Sequence, residues 1–578
     1  MAKKNLIIVG GGLAGLMAAV RAAEQNFTVD LVSMCPVKRS HSVCAQGGIN
    51  AAVNTKGEGD SPLVHFDDTI YGGDFLANQT PVKEMCENAP SVINLFDRMG
   101  VMFNRTPEGF LDFRRFGGTR HHRTAYAGAT TGQQLLYALD EQVRRHEAAG
   151  LVRKYENWEM LSAILDASGR CRGLVALDMA SGETRSLLGC GVILATGGPG
   201  LIFGKTTNSM MNTGAATTAV YRQGAVYANG EFIQVHPTAI PGTDKLRLMS
   251  ESARGEGGRV WVPRNGKPWY FLEEKYPAYG NLVPRDIATR EIFDVCVNRH
   301  LGVDGGMQVY LDVSHLPPRE LEVKLGGILE IYRKFTGDDP AKVPMKVFPA
   351  VHYSMGGLWV DFDQMTSIPG LFAAGECEYQ YHGANRLGAN SLLSCIHGGQ
   401  VAARAAMQYA DSTSQLSPAG AEGKAELKRQ NEALTGFAAM EGPENPFRLH
   451  GELGELMTRA CTVVRHNEQL DDCLKALLHF RERFGRIGLA DRGIRANQSL
   501  HFARRLDLML DLSLVVARGA RMRDESRGAH YKPEFPSRDD ERFLKTTRAT
   551  WSAEGPLIDY EDVDIQYIKP RPRKYDVD

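Results

Sequence analysis

Seven side chains in the middle of this sequence have the chemistry to hold a small dicarboxylate: His236, Ser250, Glu251, Arg254, Arg285, His352 and Arg386. A guanidinium pairs bidentately with a carboxylate, and an imidazole or hydroxyl adds a directed donor. His236 precedes a proline in Gln234-Val235-His236-Pro237-Thr238, and His352 precedes an aromatic in Val351-His352-Tyr353-Ser354-Met355-Gly356-Gly357. Singly, each is more often a structural ion pair or a satisfied core histidine than a ligand. Together they fall at the joins of what reads as an inserted domain, and interdomain clefts are where ligands are usually held.

A second group reads as the seat of a redox cofactor. Lys38-Arg39-Ser40-His41-Ser42-Val43-Cys44-Ala45-Gln46-Gly47-Gly48 lies one strand-helix-strand unit after a glycine-rich opening, where the far end of a dinucleotide would arrive. A flavin there, facing a clamped dicarboxylate, implies removal of a hydride from one carbon and a proton from its neighbour. The protein must then supply orientation, charge and an acid-base group. Clamping both carboxylates would also twist one out of conjugation in the unsaturated partner.

The elements that must position these groups begin at the N-terminus. Leu6 to Val9 is a short β-branched run, and Gly10-Gly11-Gly12-Leu13-Ala14-Gly15 then opens an alanine-rich helix. The first glycine of G-x-G-x-x-G permits the tight turn, the second lets the backbone approach a pyrophosphate, and the third lets the helix pack on the strand. The second strand, Thr28 to Val32, ends in Ser33 where an acid would hold an adenosine ribose. That departure weighs against NAD more than against FAD, since serine still donates to a ribose or phosphate oxygen. Val192 to Gly198 reads as a buried strand returning to the first sheet, and Leu371-Phe372-Ala373-Ala374-Gly375-Glu376 repeats the pattern with a terminal acid suited to a ribose hydroxyl. Asn390-Ser391-Leu392 opens another alanine-rich helix, whose N-terminus suits the second half of a dinucleotide.

The fold class is therefore α/β: a Rossmann-like FAD-binding domain with an inserted α+β capping domain, then a helical domain and an irregular C-terminal segment. The expected boundaries are 1–231 and 351–411 for the FAD-binding domain, 232–350 for the capping domain, 412–540 for the helical domain and 541–578 for the tail. Ser412 to Lys424 reads as a polar linker, and Gly451 to Arg518 as a bundle of three or four helices. Arg114 to Gly118 and His121-His122-Arg123 read as a solvated basic loop.

With 67 basic and 68 acidic residues among 578 there is no electrostatic case for a nucleic-acid partner. The ten cysteines include no C-x-x-C pair, which argues against zinc ribbons and iron-sulfur clusters held by this chain and fits a reducing compartment. The start of the sequence lacks the apolar core of a secretory signal, and no run is long enough to span a bilayer. Membrane association is expected only through a partner.

Arg39 to Ser42, Ala45 to Gly48, His236-Pro237-Thr238, Glu251 to Gly258, Pro284-Arg285-Asp286, His352 to Gly357, Gly383 to Leu392 and Glu525 to His530, in that order along nearly the whole chain, resemble the flavoprotein subunit of succinate dehydrogenase and fumarate reductase. The wording is most similar to the bacterial type that reduces menaquinone through a diheme membrane subunit. The resemblance implies FAD attached covalently at His41 through the flavin 8-methyl group, and Arg285 as the proton-transfer group with Glu251 and Arg254 as its relay. It implies His236, Ser250, His352 and Arg386 as the substrate clamp for succinate and fumarate. The FAD contacts it implies are Gly10, Gly11, Gly12, Ala14, Gly15, Ser33, Ser40, His41, Gln46, Gly47, Gly48, Glu376, Ser391 and Leu392. It further implies an iron-sulfur protein subunit and a heme-bearing membrane anchor as partners, menaquinone reached only through that complex, and a peripheral place on the cytoplasmic face of the bacterial membrane. Two departures stand out: Ser250 replaces a threonine and keeps the hydroxyl, and Asn229 stands where many members have an aspartate. L-aspartate oxidase, the nearest rival, lacks the flavin-linking histidine, and fused-heme fumarate reductases are excluded by the absence of C-x-x-C-H.

Overall fold

A computed structural model describes residues 4–242, 246–413 and 420–575. The first strand, β1 (Asn5–Val9), leads through Gly10 into helix α1 (Leu13–Glu24) and on to β2 (Thr28–Ser33). After an excursion through residues 34–130 the chain returns by α2 (Thr131–Ala148) to β3 (Val152–Glu156), and later adds β4 (Gly191–Leu194) beside β1. Leu6, Ile7 and Ile8 are fully buried, as a central parallel strand covered on both faces requires, and each contributes about 1.5–3 kcal/mol by leaving water.

Next, β5 (Ile233–Ile240) carries the chain into a second, six-stranded sheet that packs on α3 (Arg285–Phe293), and β6 (Met345–Ser354) brings it back. β5 and β6 are antiparallel neighbours, with Ile233 opposite Ser354. β7 (Leu371–Ala373) then completes the first sheet in the order β7-β4-β1-β2-β3, every pair parallel. Behind it, α4 (Asn390–Ser412) lies against α1 so closely that a Cβ at Gly399 would sit 2.4 Å from the Ala14 carbonyl oxygen. The α/β class with an FAD-type parallel sheet is what the sequence led one to expect.

Downstream, α5 (Gly420–Ala438), α6 (Pro446–Ala460), α7 (Asn467–Phe484) and α8 (Gln498–Met522) follow one another. The last three share a core through Leu449, Leu453, Met457, Leu470, Leu477, Leu500 and Leu506, a three-helix bundle. Residues 414–419 of the expected linker lie outside the described residues, and Gly420 to Lys424 belong to α5, which Gly423 seats against Ser186 and Leu188.

The tail is less irregular than its prolines suggest. β8 (Lys545–Thr550) and β9 (Leu557–Asp562) form an antiparallel hairpin, and β8 also pairs with Tyr227–Ala228. Thr546 and Ala549 are buried where Lys545 and Arg548 are not, and a neighbouring strand reads that partial alternation as pairing. Among the described residues no helix is long and apolar enough to cross a membrane.

Candidate active site

One elongated cavity of about 520 Å³ runs along the carboxyl ends of the parallel strands, the usual place for a ligand in such a sheet. At one end it is lined by Ser33, Cys35 and Met160, along its middle by Gly10 to Ala14 and the 40–48 stretch, and at the other end by His236, Ser250, Glu251, Arg285, His352 and Arg386. Gly10 has φ 117°, and a Cβ there would lie 2.1 Å from the Ala195 carbonyl oxygen, so the turn accepts only glycine. Gly15 does not line the cavity. It seats α1, since its Cβ would meet the Gly10 carbonyl oxygen at 1.9 Å.

The N-cap residue of α1, Gly12, has no side chain to cap it, and the first turn carries no acid, which leaves the positive end of the helix facing the cavity. The Ser42 hydroxyl accepts from the Leu13 N–H at 3.2 Å and so ties the flavin stretch to that end. Ser33 lines the cavity but donates its hydroxyl to the Cys35 carbonyl at 2.6 Å, leaving only its lone pairs for a ligand. Across the sheet, α4 presents Ser391 and Leu392 in its first turn. Glu376 follows β7, two strands from β1 on the side away from Ser33. Burial pushes its acid up to about 7, against the pull of the Ser354 N–H and of Arg386. A carboxyl poised there donates as readily as it accepts, as a sugar hydroxyl requires.

The His236 end of the cavity is assembled from two units. β5 and the segments after it bring His236, Ser250, Glu251 and Arg285, while the loop before α4 brings Arg386. Glu251 is the hub: one oxygen accepts from Arg285 Nε at 2.7 Å, the other from Arg254 Nη2 at 3.0 Å and from the Gly117 N–H at 3.1 Å. Arg254 is buried behind Glu251 and away from the cavity, and its Nη1 donates to the Asn281 carbonyl at 2.7 Å. Burial alone would raise the Glu251 carboxyl; Arg285 and Arg254 beside it hold it below its ordinary value. Arg386 is pushed down to about 9 by burial and by Arg285 nearby.

The two histidines are neutral. His236 is held well below its ordinary value by burial first and then by Arg285, and His352 likewise. His236 Nδ1 accepts the Thr238 N–H at 3.2 Å, so its proton sits on Nε2, which has no protein partner. His352 Nδ1 lies 2.8 Å from the Thr207 hydroxyl, and the two rings stand 5.1 Å apart. Ser250 Oγ lies 2.9 Å from Ser252 Oγ. Three arginines, one carboxylate and an unpartnered imidazole N–H make a pocket with surplus positive charge, suited to a ligand carrying two negative ones.

Sequence reasoning passed over Gln234. Its Oε1 accepts from Arg285 Nη1 at 2.9 Å and Arg386 Nη2 at 3.0 Å, while its amide donates to the Arg386 carbonyl at 2.7 Å, fixing both guanidinia. Its signal was available: Gln234 lies two residues from His236 on one strand, hence on the same face. The solvated basic loop is also corrected. Arg114 and Arg123 are buried; Arg114 braces the flavin stretch through the Gly47 carbonyl, with its guanidinium 4.0 Å over Tyr126, and Arg123 pairs with Asp60 and Asp68. Phe116 lies under Gly47, where a Cβ would come within 2.5 Å of the ring. Asn229 does not line the cavity; its amide oxygen accepts the Thr547 N–H of β8 at 3.0 Å.

Fold and site together define a flavoprotein of the FAD-binding class, and residues 5–392 match the FAD binding domain family. Residues 450–575 match the C-terminal domain of fumarate reductase flavoproteins. Along its whole length the chain is 64% identical to 99% of the succinate dehydrogenase flavoprotein subunit of Bacillus subtilis (strain 168). Against the fumarate reductase flavoprotein subunit of Escherichia coli (strain K12) it is 34% identical over 99% of this chain and 96% of the relative. The solved E. coli quinol fumarate reductase flavoprotein superposes with a TM-score of 0.93 at 32% identity, over 100% of this chain and 99% of that one. Mycobacterium smegmatis Sdh1 superposes at 0.83 with 29% identity, over 97% and 95%. The chain belongs to the family of succinate dehydrogenase and fumarate reductase flavoprotein subunits.

Proposed function

We propose that this chain is the flavoprotein subunit of a succinate:quinone oxidoreductase, interconverting succinate and fumarate at FAD and passing electrons to an iron-sulfur subunit. The observation that carries this reading is the convergence of His236, Ser250, Arg285, His352 and Arg386 on one end of a cavity whose middle is framed by Gly10 to Ala14. The residues present fit FAD: a glycine-capped helix end for its phosphates, and buried polar atoms of Ser40, Gln46 and Thr196 that no protein group satisfies. Bound there, FAD supplies the hydride acceptor or donor for one carbon of the dicarboxylate. His41, in the turn His41–Cys44 that lines the cavity, is the covalent attachment point in this reading.

The chain's own residues do the rest. Arg386 and the Nε2–H of His236 hold carboxylate oxygens, with His352 and the Ser250 hydroxyl completing the clamp. Arg285 stands at the first turn of α3, its Nη1 fixed by Gln234, and exchanges a proton with the neighbouring carbon. Arginine is ordinarily always protonated, so the exchange depends on Glu251, whose carboxylate touches both Arg285 and Arg254 and passes the proton between them. Electrons then leave through partners: an iron-sulfur subunit and a heme-bearing membrane anchor that holds the chain at the cytoplasmic face of the membrane and reaches menaquinone.

Anaerobic titration tests the reading. Succinate should bleach the flavin band, and fumarate should restore it. Acid precipitation and digestion should leave flavin on the peptide containing His41. Flavin released entirely, with bleaching by L-aspartate and none by succinate, would give the site to aspartate oxidation.

A further inference from the structure

The six-stranded unit that carries Ser250, Glu251 and Arg285 is entered by β5 and left by β6, two neighbouring strands. A unit joined by two adjacent strands can turn about that line relative to the rest, as hinged domains do. Arg386 sits on the other side of the join, so the clamp is complete only while the two units are held together.

Residues 571–575 tie them. Toward the FAD-binding side, Arg571 pairs with Asp67 at 2.5 Å, Tyr71 Oη donates to the Lys574 carbonyl at 3.0 Å, and Arg573 reaches Asp74 at 3.5 Å. Toward the inserted unit, the same Arg573 pairs with Asp286 at 3.0 Å, and the Tyr575 ring lies 5.1 Å from Tyr279. Tyr575 is 3% exposed and belongs to the apolar core of that unit, with Val283, Ile287 and Val309. The side chains of Arg573 and Asp286 are 8% and 1% exposed. Asp286 directly follows Arg285 at the start of α3.

We propose that residues 571–575 form a latch that holds the inserted unit closed over the dicarboxylate, with Arg573 as a positioning residue that acts on Arg285 through Asp286. The inference rests on the dicarboxylate reading of the site. One guanidinium bridges two carboxylates from different units. Without it, Asp74 keeps Arg538 at 2.8 Å and Asp286 keeps Arg290 at 3.5 Å, so its removal leaves each carboxylate a partner but deletes the charged bridge across the join.

The test uses the flavin-loaded complex with Arg573→Gln and Arg573→Lys. Arg573→Gln should raise the KM for succinate and the Kd for malonate together by roughly tenfold, within the usual span for coupling to a remote contact. Flavin content and melting midpoint should stay near those of the unaltered protein, and Arg573→Lys should recover part of the affinity. Loss of flavin or of melting temperature with the malonate Kd unchanged would make Arg573 a structural residue only and overturn the latch.

Hydrogen exchange on the unaltered complex needs no variant to fold. Malonate should slow exchange of the amides of 571–575 in step with those of α3. Slowing in α3 with none at 571–575 would also overturn the latch. Failure of malonate to bind the unaltered complex would instead defeat the dicarboxylate reading, and the latch would fall with it.

Discussion

Among the buried clusters of arginine, acid and histidine in the described residues, two differ in their bookkeeping. After α8, Arg523 directs its Nε to Glu231 at 2.8 Å, Nη1 to Glu525 and the Phe543 carbonyl, and Nη2 to the Lys545 carbonyl and the Thr547 hydroxyl. Arg527 is likewise held by Glu525, Asp540 and the Asp74 carbonyl. At the dicarboxylate end, Arg254 and Arg285 share the single carboxylate of Glu251, and Arg386 has Gln234 as its side-chain acceptor, with its Nε unsatisfied. A buried guanidinium whose every N–H is met is a strut. One that lines a cavity with surplus charge and an open donor, as Arg386 does, is a place for an anion.

Substitution can break that contrast. The largest effect is expected for Arg285→Lys, which keeps a positive charge but loses the fork that grips Glu251 and Gln234. Turnover should fall by about 10²–10⁴-fold, the usual worth of a positioned acid-base group, with flavin retained. Near-normal activity in that variant would remove Arg285 from the proton step.

Glu525→Gln should act on the other cluster, lowering unfolding stability by about 3–5 kcal/mol while leaving the succinate KM of the folded fraction unchanged. Denaturant titration beside steady-state kinetics separates the two. A raised KM at unchanged stability would mean that the strut is part of the site.

The histidines sharpen the comparison through pH. His530 in the strut and His236 in the site are both held below their ordinary value by burial first, so the sign of their linkage is the same. His65, buried under Asn390 at the start of α4, is brought from 6.5 to about 3 by burial and by Arg123. The unfolded chain then binds the extra proton, so stability is complete above about pH 6.5 and declines as the pH falls toward 3. At pH 5.5 this one group should cost about 1.4 kcal/mol relative to pH 7.5. His65→Gln should flatten the fall in unfolding free energy between those pH values by that amount; an unaltered slope would exclude His65 as its source.

The smallest effect is expected at Ser250. Ser250→Ala removes one hydroxyl, worth about 1 kcal/mol, and should raise the succinate KM by about fivefold with kcat less affected. No change in KM would take Ser250 out of the clamp.

What could be read from the sequence divides along the same line. The glycine opening, the β-branched strands and the helical spacing of Gly451 to Arg518 are local signals, and each became the element its residues prescribe. The residues proposed for the site could be named in advance because their types are unusual and their short motifs carry a family resemblance, and most of them line one cavity. Gln234 was missed because an uncharged amide announces nothing until two arginines from distant segments converge on it. Arg114, Phe116 and Arg123 read as solvated because charge in a glycine-rich loop usually is; burial came from Tyr126, Asp60 and the flavin stretch closing around them. The tail read as irregular because a segment remote in sequence, Tyr227–Ala228, supplies the pairing for β8, and the inserted unit supplies the core for Tyr575.

The sequence by itself determined the parallel FAD-type sheet and the cofactor class, since these rest on residue type and short spacing. Only the tertiary structure decided which arginines are saturated and which are left open. That is a count of partners brought from remote parts of the chain, and no local pattern encodes it.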